Sequence, residues 1–124
     1  EDWGEHMSIE DFYEEVGGDY KDIFSRLMNN KELVREFVLM FLKDPSYDEL
    51  VQQMERKNYE EAFRASHTLK GVCQNLAFTE LFQASYDITE ALREKNVEKA
   101  EELLEKVKVS YAKTIAGVQK LASS

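Results

Sequence analysis

At 124 residues, with one proline, five glycines and a single cysteine, the chain fits one domain and excludes a disulfide scaffold or a turn-rich β-fold. Its net charge of −9 gives no basic footprint for nucleic acid, and no apolar run approaches the ~18 residues of a membrane span. The acidity is uneven: Glu1, Asp2, Glu5, Glu10, Asp11, Glu14, Glu15 and Asp19 precede the first Lys or Arg, whereas the rest of the chain balances 17 acids against 16 bases. One reading of this acidic arm is solubility; the sharper one is steering of a basic partner or repulsion of wrong ones.

Residues 1–7 read as a disordered lead-in, with Met7 a candidate native start, and residues 8–124 as a single helical domain. Ser8, followed by Glu10 and Asp11, opens a short helix that Gly17-Gly18 stops. Asp19 caps a segment from Tyr20 to Met28, with Ile23, Phe24, Leu27 and Met28 as its apolar side; Asn29-Asn30 breaks it. Residues 32–42 carry Leu33, Val34, Phe37, Val38, Phe41 and Leu42 at helical spacing. Asp44-Pro45 ends that helix, and Ser46 with Glu49 reads as a capping box for the next, which runs through Leu50, Val51 and Met54 to Lys57.

Asn58 with Glu61 then predicts a helix from Tyr59 to Leu76. Thr79 is the expected cap of a helix to Lys95, with Leu81, Phe82, Ser85, Ile88 and Leu92 on one side. Asn96 caps the last and longest, to Leu121, with Ala100, Leu103, Leu104, Val107, Tyr111, Ile115 and Val118 as its stripe. Loops of two or three residues force antiparallel neighbours. The expected architecture is all-α: an up-and-down four-helix bundle with shorter N-terminal helices packed on one end.

Chemistry concentrates in Ser66-His67-Thr68-Leu69-Lys70-Gly71. On a wheel with Leu69 at zero, Ala62, Ala65, Val72, Cys73 and Leu76 fall within about 60° and form the core stripe. His67 falls at about 160°, amid Glu60, Arg64 and Gln74, so it points outward. That disfavours a structural core histidine and leaves an ordinary surface histidine as the plain alternative. A free imidazole is largely neutral, and so nucleophilic, at neutral pH. Gly71 also lies on the outer face, where a glycine costs about 1 kcal/mol relative to alanine. Either it packs under another helix, or it leaves clearance for a partner approaching His67. Lys70 lies one turn after His67, within reach of a group attached to the ring, or else is a plain surface lysine. Phe63, one turn before it, reads first as flanking core, with a docking contact as the alternative. The only histidines are His6 and His67 and the only cysteine is Cys73, so no metal site is expected; there is also no Gly-rich phosphate loop.

The stretch SHTLKGVCQNLAF, residues 66–78, resembles the signature of histidine-containing phosphotransfer (HPt) domains of two-component phosphorelays. His-x-x-Lys-Gly is intact, and the helix order extends the resemblance over residues 19–121. Val72, Cys73 and Ala77 depart from the small residues and glycine common there. The resemblance implies that His67 accepts and donates a phosphoryl group through Nε2, that Lys70 assists and that Gly71 gives clearance. Phe63, Arg64 and Gln74 are then candidate docking positions. The implied partners are receiver domains, which supply the aspartate and Mg²⁺, and a sensor or hybrid histidine kinase. This chain itself would bind no cofactor and have no kinase activity of its own. The expected setting is cytoplasmic and reducing, and the expected state a monomer. The competing reading is a helical module that binds a receiver or kinase without being phosphorylated. A hydrolytic or metal enzyme is disfavoured, because no carboxylate pair is organised near His67.

Overall fold

Five helices start at a side chain that accepts from the backbone three residues on: Ser8, Asp19, Asn30, Asn58 and Asn96. In the computed structural model, which describes residues 7–124, these caps open α1 (Ile9–Val16), α2 (Tyr20–Arg26), α3 (Lys31–Met40), α5 (Tyr59–Leu76) and α7 (Val97–Ala122). The remaining helices are α4 (Ser46–Glu55) and α6 (Thr79–Arg93), and a 3₁₀ turn at Phe41–Lys43 follows α3. No strand occurs among the described residues. The lead-in expected at residues 1–7 lies outside the described residues as far as residue 6. Met7 itself is buried, and its amide donates to Ser124 Oγ at 2.9 Å.

The starts of α4 and α6 correct the sequence reading. Ser46 is the first helical residue of α4, not its cap, and no capping box forms. Asp44 accepts from the Ser46 amide at 3.1 Å, while Glu49 accepts instead from Gln53 Nε2 at 2.8 Å. Thr79 is likewise the first residue of α6. Phe78 holds the cap position because its ring is needed in the core, 5.2 Å from Phe41 and 5.8 Å from Phe12. The orphan donor of Glu80 is satisfied by the Gly17 carbonyl at 3.0 Å, from the turn after α1.

Helices α4–α7 form the expected bundle, each packed on the next and joined by two or three residues. Every one of these joints contains a left-handed residue, Lys57, Ala77 or Lys95. The next amide in each closes back over the helix end at 2.9 Å: Asn58 to Gln53, Phe78 to Cys73 and Asn96 to Ala91. Helix α1 lies on α7 and buries Ile9, Phe12, Tyr13 and Val16. It also reaches the far end of α5, where the Tyr13 hydroxyl donates to the Leu76 carbonyl at 2.6 Å. Part of the acidic arm is therefore built into the body: Glu10 pairs with Lys31 at 2.8 Å and Glu15 with Lys120 at 3.7 Å.

Two apolar sides are only partly covered, for one reason. Helices α2 and α3 lie outside the bundle and have less to cover them. Met28 is left-handed and 90% exposed, so α2 ends before it. On α3 only Val34 and Val38 are buried, together with Phe41 in the 3₁₀ turn, while Phe37 and Leu42 remain exposed.

Candidate functional site

Helix α5 runs over the residues its cap and stripe predict. Ala62, Ala65, Leu69, Cys73 and Leu76 are buried, and Val72 is half-buried. Ser66, a polar residue at the edge of that stripe, is also buried and donates to the Phe63 carbonyl at 2.9 Å. With Ser66 and Leu69 turned inward, the helix holds His67 outward and exposed. Among the described residues nothing hydrogen-bonds its ring nitrogens. Its recorded neighbour is the Phe63 ring, 6.0 Å away between centroids and tilted by 52°. Thr68 turns its hydroxyl back to the Arg64 carbonyl at 3.0 Å. The imidazole thus stands on the outer face of α5, beside Phe63, with both ring nitrogens unpartnered among the described residues.

One turn on, a Cβ built on Gly71 would meet nothing within 4 Å. No neighbouring helix packs there, which removes the packing explanation for this glycine. Beside it, Lys70 is half-buried and its Nζ lies 5.6 Å from the centroid of Tyr86 on α6. The ring gives the ammonium an aromatic neighbour on α6.

Phe63 is half-buried, and the Arg93 guanidinium sits 5.0 Å above its ring. Arg93 is itself held by Glu90 at 3.2 Å. The pair belongs to an apolar groove of about 540 Å³ between the start of α5 and the end of α6, lined by Tyr59, Phe63, Leu92, Arg93, Lys95 and Val97. Arg64 is exposed and ion-paired with Glu61 on its own helix. Gln74 is exposed two turns beyond His67, and its carbonyl accepts from Arg26 at 3.2 Å. The structure thus gathers Phe63, His67, Lys70 and Gly71 on one face, with Arg64 and Gln74 at its margins.

Tyr86 and Arg93 are the site residues that sequence reasoning missed. With Phe82 they recur at i, i+4 and i+11, a helical spacing that marks a second face of α6 beside its core stripe. Phe82 and Tyr86 stack with centroids 6.2 Å apart. On the inner side of α5, burial pushes the Cys73 thiol up to about 12, so it is protonated and inert. Among the described residues no three His, Cys, Asp or Glu side chains converge as a metal site would, and no helix is long and apolar enough to cross a membrane.

On α5 the bundle thus presents an exposed histidine, a half-buried lysine and an uncovered glycine within little more than one turn. The family model described as the Hpt domain matches residues 36–121, well over half of the chain, and the protein belongs to that family. Hpt domains carry phosphoryl groups on histidine in two-component systems, where they meet receiver and kinase components, and are not autonomous enzymes. The match begins within α3 and runs to the last turn of α7. Searches of curated proteins and of solved structures returned no match.

Proposed function

We propose that His67 is the phosphoryl-carrying residue of a relay that exchanges phosphate with receiver aspartates. The observation that carries this reading is the empty volume at Gly71, one turn from an exposed imidazole with free nitrogens. In the forward step the Nε2 lone pair attacks the phosphorus of a receiver's aspartyl phosphate in line. The N–P bond forms as the P–O bond breaks, and the aspartate leaves as carboxylate. The reverse step restores the aspartyl phosphate and the free imidazole. Such transfer is chiefly positioning and charge stabilisation. Lys70 supplies one positive charge for the phosphoryl oxygens. The receiver supplies Mg²⁺, the aspartate and the rest of the active site, and enters over Gly71. Phe63 offers the apolar contact nearest the imidazole, and Arg64 and Gln74 lie at the edge of the docking face.

The test is incubation with a phosphorylated receiver or a cognate kinase. Acid-labile, alkali-stable label is expected on the wild-type protein and absent from His67→Gln. Equal labelling of the variant refutes the assignment. Binding of the receiver with no label on either protein supports instead a module that acts by occupancy.

A further inference from the structure

We infer that Tyr86 is a positioning residue for phosphoryl transfer: its ring holds the Lys70 ammonium on the α6 side of His67 without neutralising it. The inference rests on the reading of His67 as the phosphoryl carrier.

Lys70 is the cation one turn from His67, and its long stem would otherwise sample many rotamers. The contact that fixes it is the Tyr86 ring, 5.6 Å from Nζ. Phe82 stacks with that ring, their centroids 6.2 Å apart. The nearby acids on α6 are engaged elsewhere: Asp87 accepts from Gln83 at 2.9 Å, and Glu90 holds Arg93 at 3.2 Å. Among the described residues no carboxylate pairs with Lys70. This choice of partner has a consequence. A carboxylate would anchor the ammonium but cancel its charge, and would compete with the phosphoryl oxygens for it. An aromatic face anchors the cation through its quadrupole and leaves the full charge available. Tyr86 is also 41% exposed, so core packing does not account for an aromatic ring at this position.

The experiment labels His67 with phosphoramidate, follows N-phosphorylation by phosphorus NMR, and then measures transfer to a receiver domain. Tyr86→Leu and Tyr86→Phe are each made in the wild-type and Lys70→Gln backgrounds. Tyr86→Leu is expected to slow transfer about two- to fivefold, the range an exposed cation–π contact supports, and Tyr86→Phe to restore the wild-type rate. In the Lys70→Gln background Tyr86→Leu should have no further effect. Independently of phosphate, the ring-current upfield shift of the Lys70 ε-methylene protons should vanish in Tyr86→Leu and persist in Tyr86→Phe. A labelled Tyr86→Leu that transfers at the wild-type rate, or slows equally without Lys70, overturns the role of Tyr86 alone. Failure of every variant to take label on His67 overturns the relay reading and this role with it; the methylene shift then still reports whether the ring and the ammonium touch.

Discussion

Gly71 in α5 and Gly117 in α7 are the same residue in the interior of long helices, in opposite surroundings. A Cβ on Gly117 would lie 3.0 Å from Val16 Cγ1 and 3.1 Å from the Phe12 ring, whereas a Cβ on Gly71 would touch nothing within 4 Å. Each glycine gives up about 1 kcal/mol of helix stability relative to alanine. At Gly117 the compensation is packing: α1 lies close against α7 and buries Phe12 and Val16. At Gly71 no contact among the described residues compensates, and the proposed receiver docking is what would use the space. A glycine in a helix is therefore best read by what its missing side chain would meet.

The largest expected effect breaks the comparison at its open end. Gly71→Gln should slow transfer between His67 and a receiver on the order of 100-fold, since small displacements of reacting groups cost that much. The same variant should unfold at higher urea concentration than the wild type, because glutamine is the better helix former. Wild-type transfer would show that the space over Gly71 is not used. Next comes the crowded end. Gly117→Val should lose about 1–3 kcal/mol in urea unfolding despite its better helix propensity, because the added methyls press on Phe12 and Val16. Transfer per folded molecule should be unchanged. A stabilised Gly117→Val would mean that α1 does not need the gap.

That contrast also separates what the sequence carried from what it did not. The limits of α5 and the outward aim of His67 were legible because an eighteen-residue helix with one apolar stripe and an Asn58 cap is a local pattern. The bundle joints were not. Lys57, Ala77 and Lys95 take left-handed conformations that a sequence reader looks for at glycine. Their strain is offset by the closing backbone bonds of each helix end. The cap of α6 was hidden for a tertiary reason, since its donor goes to the Gly17 carbonyl, remote in sequence. Gly117 escaped notice because its meaning depends on α1 lying across α7. Tyr86 and Arg93 were obscured by the core stripe of their own helix. Only the pairing of α5 with α6 brings them to Lys70 and Phe63.

The smallest effect sharpens the comparison along α5 itself. Where the His67 face is open, the C-terminal end of the helix is tied down: Tyr13 donates to the Leu76 carbonyl, and the Asp19 amide donates to the Ala77 carbonyl at 2.9 Å. Tyr13 is buried, so Tyr13→Phe keeps the ring and leaves a buried carbonyl without its donor. That should cost about 1–2 kcal/mol in urea unfolding at neutral pH. Burial pushes the Tyr13 hydroxyl well above the ordinary tyrosine value, which gives the loss a pH signature. Below pH ~10 the hydroxyl is protonated in both folded and unfolded chains, and its contribution is fully present. Above that, the unfolded chain releases the proton while the folded one retains it, so this contribution falls as pH rises. The wild type should therefore lose its advantage over Tyr13→Phe in alkaline solution, and both should transfer phosphate from His67 equally at neutral pH. A transfer defect in Tyr13→Phe would show that the anchored end of α5 and its open face are coupled, and that the division between them is wrong.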